Sequence, residues 1–138
     1  MIKSRNIDLD AALVNQSVNV VYPSINPKTA TVTARTADTT LVAANFDAIT
    51  TNTGAIGVQV LTLPAAALVA KKGLRVAVTA AYSITLTPES GEKIWLNGSG
   101  VASKYLLIAG TIGNFCEIYS DGTDYIVTNY SGVVTKEA

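Results

Sequence analysis

Short runs in which polar and apolar residues alternate recur along the chain from Thr29 onward. They are rich in residues branched at Cβ, since the sequence contains 17 Thr, 15 Val and 11 Ile. Such side chains are restricted at χ1 and pack well on a pleated sheet. Turn-forming residues separate the runs at close intervals, most clearly at 120–124. This pattern predicts an all-β fold of about ten short strands, arranged as a jelly-roll-like sandwich or as a barrel.

Two segments depart from the strand pattern. Residues 64–73 are typical of one short helix, because Pro64 suits the first helical position, the alanines propagate a helix, and Gly73 can cap it. Residues 1–28 scatter their apolar side chains among polar ones, and Pro23 and Pro27 favour extended or turn-rich backbone. We therefore expect an extended N-terminal arm over residues 1–28 and one β-sandwich domain over residues 29–138.

The charge balance limits the classes of partner. Ten Lys and Arg residues offset ten Asp and Glu residues, and only 14% of the chain is charged. No basic stripe exists, so no nucleic acid partner is expected. Because 49% of the residues are hydrophobic and the net charge is zero, the repulsion that keeps monomers apart is weak. We expect part of the apolar surface to contact another copy of the chain or another protein.

The residues needed for common catalytic chemistry are missing or isolated. The sequence has no histidine, which removes the Ser-His-Asp triad, the Cys-His dyad and the commonest zinc ligand. Cys116 lies alone in an alternating run and is predicted to be a small buried hydrophobe. Asp121 and Asp124 share an ordinary turn, and no phosphate-binding loop is present. We predict no catalytic residue, no metal site and no cofactor, and expect that the protein is not an enzyme.

No membrane segment is expected either. The longest apolar stretch, residues 63–70, contains Pro64 and is far too short to cross a bilayer. The first residues lack the apolar core and cleavage site of a signal peptide, so synthesis and residence in a cytoplasm are expected.

Aromatic residues are the remaining candidates for a binding face. Trp95 lies beside the Asn97-Gly98 turn, and Tyr105 and Tyr125 follow in the C-terminal half. Aromatic side chains with a polar tip are favoured at interfaces and at sugar-binding faces, but they are also ordinary core residues. A place in the core or at a subunit interface is favoured over a ligand face.

The stretch from Leu61 to Val127 carries a resemblance to a known family. It contains Leu-Thr-Leu-Pro at 61–64, Thr-Leu-Thr-Pro at 85–88, Asn-Gly at 97–98 and Ser-Asp-Gly-Thr-Asp-Tyr at 120–125. This succession resembles a β-rich module of tailed-bacteriophage surface proteins, which include trimeric capsid decoration (cement) proteins, head fibres and tail-fibre tips. The motifs are turn and strand signatures, and they cover about half of the chain.

The resemblance implies a noncatalytic homotrimer on the outer surface of the virion, synthesised in the host cytoplasm. Because the chain has no coiled-coil or collagen-like shaft, a capsid decoration protein that binds the major capsid protein and stabilises the mature shell is favoured. The arm is expected to supply the capsid contact, through Ile2, Lys3, Arg5, Ile7 and Leu9. The alternative is a head-fibre or tail-fibre receptor-binding module that holds a host glycan on Trp95, Tyr105 or Tyr125.

Overall fold

The computed structural model describes residues 30–138, and within that range the regular secondary structure is mostly β. It forms 11 strands and two short 3-10 helices, at Ala43–Asn45 and Ala66–Val69. The strands are β1 (Val32–Ala34), β2 (Thr39–Thr40), β3 (Ala48–Thr51), β4 (Gln59–Thr62), β5 (Gly73–Ala77), β6 (Ile84–Thr87), β7 (Ile94–Trp95), β8 (Leu106–Ile108), β9 (Phe115–Ser120), β10 (Tyr125–Ser131) and β11 (Val134–Lys136). The predicted arm over residues 1–28 lies outside the described residues.

The strands form two sheets that enclose one hydrophobic core. A six-stranded sheet has the order β1-β3-β5-β9-β10-β7, and a five-stranded sheet has the order β11-β8-β6-β4-β2. Apolar side chains from both sheets join in a single buried cluster. The all-β sandwich prediction is therefore confirmed, and of its two forms the closed barrel does not occur among the described residues.

The first six strands wind as a coil, alternating between the two sheets. Within the larger sheet β1 pairs in parallel with β3 and β3 with β5, while in the smaller sheet β2 pairs in parallel with β4 and β4 with β6. Each turn of the coil adds one strand to each sheet and then returns beside the preceding turn. Neighbouring strands within a sheet therefore run in the same direction. Jelly-roll ladders are antiparallel, so the connectivity of this half differs from the jelly-roll expectation.

The later strands extend both sheets with antiparallel pairs, apart from β7, which pairs in parallel with β10. β9 pairs with β5, and β8 pairs with β6. The predicted turn at 120–124 joins β9 and β10 in an antiparallel hairpin, with a register shift between Val127 and Asn129. This hairpin confirms the strongest local signal in the sequence.

The predicted helix over residues 64–73 is reduced to the 3-10 helix Ala66–Val69. Tertiary contacts take a carbonyl that a longer α-helix would need for its own hydrogen bonds, and they also occupy an N–H of its first turn. The Ala66 N–H donates to Oε1 of Glu92 at 2.8 Å, and the Ala66 carbonyl accepts from the Ser120 hydroxyl at 2.6 Å. Lys71 then takes a left-handed conformation, with φ of 63°, and turns the chain into β5.

Alternation along the strands places one row of side chains in the core. In β4 and β6 the inward row includes Leu61, Ile84 and Leu86, all fully buried. Burying each such side chain contributes about 1.5–3 kcal/mol. Cys116 is also fully buried, as predicted, and burial raises the pKa of its thiol to about 12.

The pairing registers bring the connections together at two opposite ends of the sandwich. At one end lie the connections 52–58, 78–83, 109–114 and 132–133, which contain no Asp, Glu, Lys or Arg; we call the surface that they form the uncharged end. The connection 35–38, which carries Arg35 and Asp38, lies at the edge of that surface, because β1 and β3 end side by side. At the other, which we call the charged end, most of the charged side chains gather. They are Asp47, Lys71, Lys72, Glu89, Glu92, Lys93, Lys104, Asp121, Asp124, Lys136 and Glu137.

Candidate functional site

Trp95, the first aromatic candidate, is half-buried and engaged in contacts within the domain. Its indole N–H donates to Oδ2 of Asp124 at 3.1 Å, and the Lys93 ammonium lies 5.1 Å from the ring centroid. A Cβ at Gly100 would stand only 2.6 Å from the ring, so the Gly100 backbone packs directly on the indole. These contacts fasten β7 and the turn that follows it to the β9–β10 hairpin.

The carboxylate of Asp124 makes two of the hydrogen bonds that hold β7 to this hairpin. Its Oδ1 accepts the Lys93 N–H at 2.9 Å, while its Oδ2 holds the indole. In the same turn, Oδ1 of Asp121 accepts the N–H groups of Thr123 and Asp124, which lowers the pKa of that carboxyl. Both carboxylates are therefore occupied in shaping the hairpin.

Tyr125 is a core residue, which corrects its selection as a ligand-face or interface aromatic. The side chain is fully buried, its hydroxyl donates to the Pro64 carbonyl at 2.5 Å, and its ring centroid lies 6.1 Å from that of Phe46. It was selected because tyrosine serves both surfaces and cores, and alternation alone does not say which face is inward. Tyr105 is 38% exposed, whereas Trp95 is half-buried and Tyr125 is fully buried. The three predicted aromatics therefore do not form one exposed face.

Glu92, at the charged end, has a partly desolvated carboxylate. Its Oε1 accepts the Ala66 N–H, while its Oε2 is buried with no hydrogen-bond partner among residues 30–138. Burial raises the pKa of this carboxyl, and the nearby charges of Glu89 and Asp124 raise it further. Within the same described range, no group of three or more His, Cys, Asp or Glu side chains could hold a metal ion.

The uncharged end presents apolar side chains to solvent. Ile56 is 89% exposed, Ile112 65%, Val58 63%, Val133 61% and Tyr82 38%. They come from every connection that defines this end. Exposed apolar side chains that gather at one end of a domain mark an interaction site more often than scattered ones do.

Sequence reasoning did not select these residues, although one signal was available. Four of the ten connections between the described strands lack charge, and each of the other six carries at least one charged residue. In a coil that crosses two sheets, alternate connections fall at the same end. The charge pattern becomes a surface only once that winding is known.

Side-chain amides fix the shape of the uncharged end. Asn52 is fully buried, and its Nδ2 donates to the carbonyls of Ala80 and Tyr82, each at 3.0 Å. Its Oδ1 accepts the N–H groups of Thr79 at 2.7 Å and Ala80 at 2.9 Å. One amide thus joins the connection 52–58 to the connection 78–83.

The remaining connections are joined in a similar way. Nδ2 of Asn114 donates to the Ala109 carbonyl at 2.9 Å, and the Ala109 N–H donates to the Val133 carbonyl at 3.0 Å. The Val78 N–H donates to the Asn114 carbonyl at 2.8 Å. All the connections that define the uncharged end therefore form one hydrogen-bonded unit.

The predicted capsid contacts Ile2, Lys3, Arg5, Ile7 and Leu9 lie outside the described residues. Residue 30, to which that segment is joined, lies at the charged end, because β1 starts beside the start of β3. The described part of the chain has no helix long and apolar enough to cross a membrane. No protein-family model matches the chain and no curated protein matches its sequence, so its function is inferred from its own residues.

Proposed function

We propose that this protein is a noncatalytic surface protein of a tailed-bacteriophage virion. In this proposal it is a capsid decoration protein that binds the major capsid protein on the outside of the mature shell as a homotrimer. The observation that carries the proposal is the separation of two surfaces on one rigid sandwich. The uncharged end offers an apolar contact surface, while the chain before residue 30 is attached at the charged end.

Two separate surfaces suit a protein that must contact both its own copies and a shell. A protein that binds only the assembled lattice stabilises that lattice by mass action. Three linked copies bind more tightly than one, because the second and third contacts form at high effective concentration. The segment containing Ile2, Lys3, Arg5, Ile7 and Leu9 is proposed to make the contact with the shell.

The first test is the copy number of this chain in purified virions, measured by quantitative mass spectrometry. We expect a number commensurate with the capsid lattice. The second test compares the full chain with a chain lacking residues 1–10 for binding to purified mature shells. The shortened chain is expected to keep its oligomeric state and lose shell binding, and undiminished binding would contradict the proposed role of the arm.

A receptor-binding module of a head fibre or tail fibre is the second candidate. The observation that favours it is the position of the uncharged end, which lies farthest from residue 30 and carries the exposed ring of Tyr82. Aromatic rings on an uncharged surface are suited to stacking against sugars. A copy number that matches the few attachment points of the tail would support this candidate over decoration.

A further inference from the structure

We infer that the uncharged end is the surface through which copies of this chain contact one another in the homotrimer. This inference rests on the proposed function, because the homotrimer is part of it. It goes further by assigning the contact to the connections 52–58, 78–83, 109–114 and 132–133. The occupant is a second copy of the same chain.

The first argument is the extent of apolar exposure. Ile56, Val58, Ile112 and Val133 are each more than half exposed, and all belong to the same end of the sandwich. Apolar surface gathered in this way favours association, and the zero net charge of the chain does little to oppose it.

The second argument is that the surface is preorganised. The amides of Asn52 and Asn114 join its connections, and backbone hydrogen bonds connect 109–114 to both 78–83 and 132–133. Association then loses little conformational entropy in the loops, so more of the apolar burial appears as affinity.

The third argument is electrostatic and selects the occupant. Because the four connections that form the uncharged end contain no charged side chain, a partner that placed charges against them would bury those charges without counterions, which is costly. The uncharged end of a second copy brings no charge to the contact, because it is the same surface. Arg35 and Asp38, in the connection 35–38 at the edge of this surface, would lie in the polar rim of the contact.

The position of residue 30 agrees with this assignment. Three uncharged ends that meet at a common axis would direct the three charged ends away from it. The segments before residue 30 would then start at the periphery of the trimer, where the surrounding shell subunits lie. Contacts between copies and contacts with the shell would not compete for the same surface.

The test is the oligomeric state of the full chain, measured by sedimentation velocity over a range of concentrations. The variants Ile56→Lys and Ile112→Lys place a charge on the uncharged end. Leu68→Lys is the matched control, because Leu68 is 68% exposed but lies at the charged end. Far-UV circular dichroism checks the fold of each variant, and Val133→Lys serves if one of the first two fails to fold.

We expect a trimer for the unaltered chain and for Leu68→Lys. The variants at the uncharged end should dissociate at concentrations at least about tenfold higher than the unaltered chain does, because each association would bury an unpaired ammonium. A monomeric unaltered chain, or folded variants that associate as well as Leu68→Lys, would overturn the assignment. If the trimer depends on Ile112 but the chain is absent from virions, the decoration function would be rejected. The assignment of the contact surface would still hold.

Discussion

The hydroxyl of Tyr125 joins the core to the connection that precedes β5. It donates to the Pro64 carbonyl from a fully buried ring. Tyr125→Phe would keep the packing of the ring and leave that carbonyl without its partner. We expect the free energy of unfolding in urea to fall by about 1–2 kcal/mol.

Tyr105→Phe is the matched control for this measurement, because the Tyr105 ring is 38% exposed. Its effect should stay within about 0.5 kcal/mol. If both variants lose the same free energy of unfolding, the Tyr125 hydrogen bond contributes no more to stability than an exposed hydroxyl does. Both proteins must be compared at one concentration, since self-association adds to apparent stability.

Glu92 should make the stability of the protein depend on pH. Burial, together with the charges of Glu89 and Asp124, raises the pKa of this carboxyl above its ordinary value of 4.5. The folded state therefore favours the protonated form. The stability associated with that proton is full below the ordinary pKa and is lost as the pH rises through the folded-state pKa.

Glu92→Gln has no charge to lose and can still accept the Ala66 N–H. At about pH 7 the variant should unfold at higher urea concentration than the unaltered protein, and this gain should vanish below about pH 4. Glu89→Gln is the control, with a smaller gain expected because that carboxylate acts on Glu92 only as a neighbouring charge. A variant less stable at neutral pH would contradict this account of Glu92.

At the scale of elements, the connection between β8 and β9 is packed on the connection between β5 and β6. A Cβ at Gly110 would lie 2.7 Å from backbone atoms of Tyr82 and Ser83. Backbone cannot move aside as a flexible side chain can. Gly110→Ala should therefore lower the free energy of unfolding by about 1–3 kcal/mol, measured in urea.

Gly57 offers a matched control within the uncharged end. A Cβ there would meet nothing within 4 Å, so Gly57→Ala should change stability by less than about 1 kcal/mol. Similar losses of stability at both positions would mean that the contact between the two connections is not the reason why Gly110→Ala is destabilising.

The coil of parallel strands explains why the sequence shows no fixed repeat. In the larger sheet Val32 pairs with Ile49 and Ile49 pairs with Arg75, so successive coils differ in length. A coil needs only that each strand return beside its predecessor, and connections of unequal length can achieve this. The strands were therefore predictable from alternation, whereas their parallel pairing was not.

At the scale of the whole molecule, charge is concentrated away from the proposed contact surface. An association that buries apolar groups and no ion pairs should respond little to screening. We expect the dissociation constant of the proposed trimer, measured by sedimentation, to be equal or lower in about 1 M salt than in about 0.1 M salt. Marked weakening at high salt would place charged residues in the contact and argue for a different surface.

The class of fold, the position of the β9–β10 turn and the burial of Cys116 were predictable from the sequence. These features follow from local causes: alternation with period two, turn-forming residues, and the absence of polar partners for a lone thiol. Three other features became clear only from the fold. Tyr125 is a core residue, residues 64–73 form a short 3-10 helix in place of a longer helix, and the uncharged connections share one end. Each of these depends on which distant segments meet, and strand pairing between distant residues leaves no local signal in the chain.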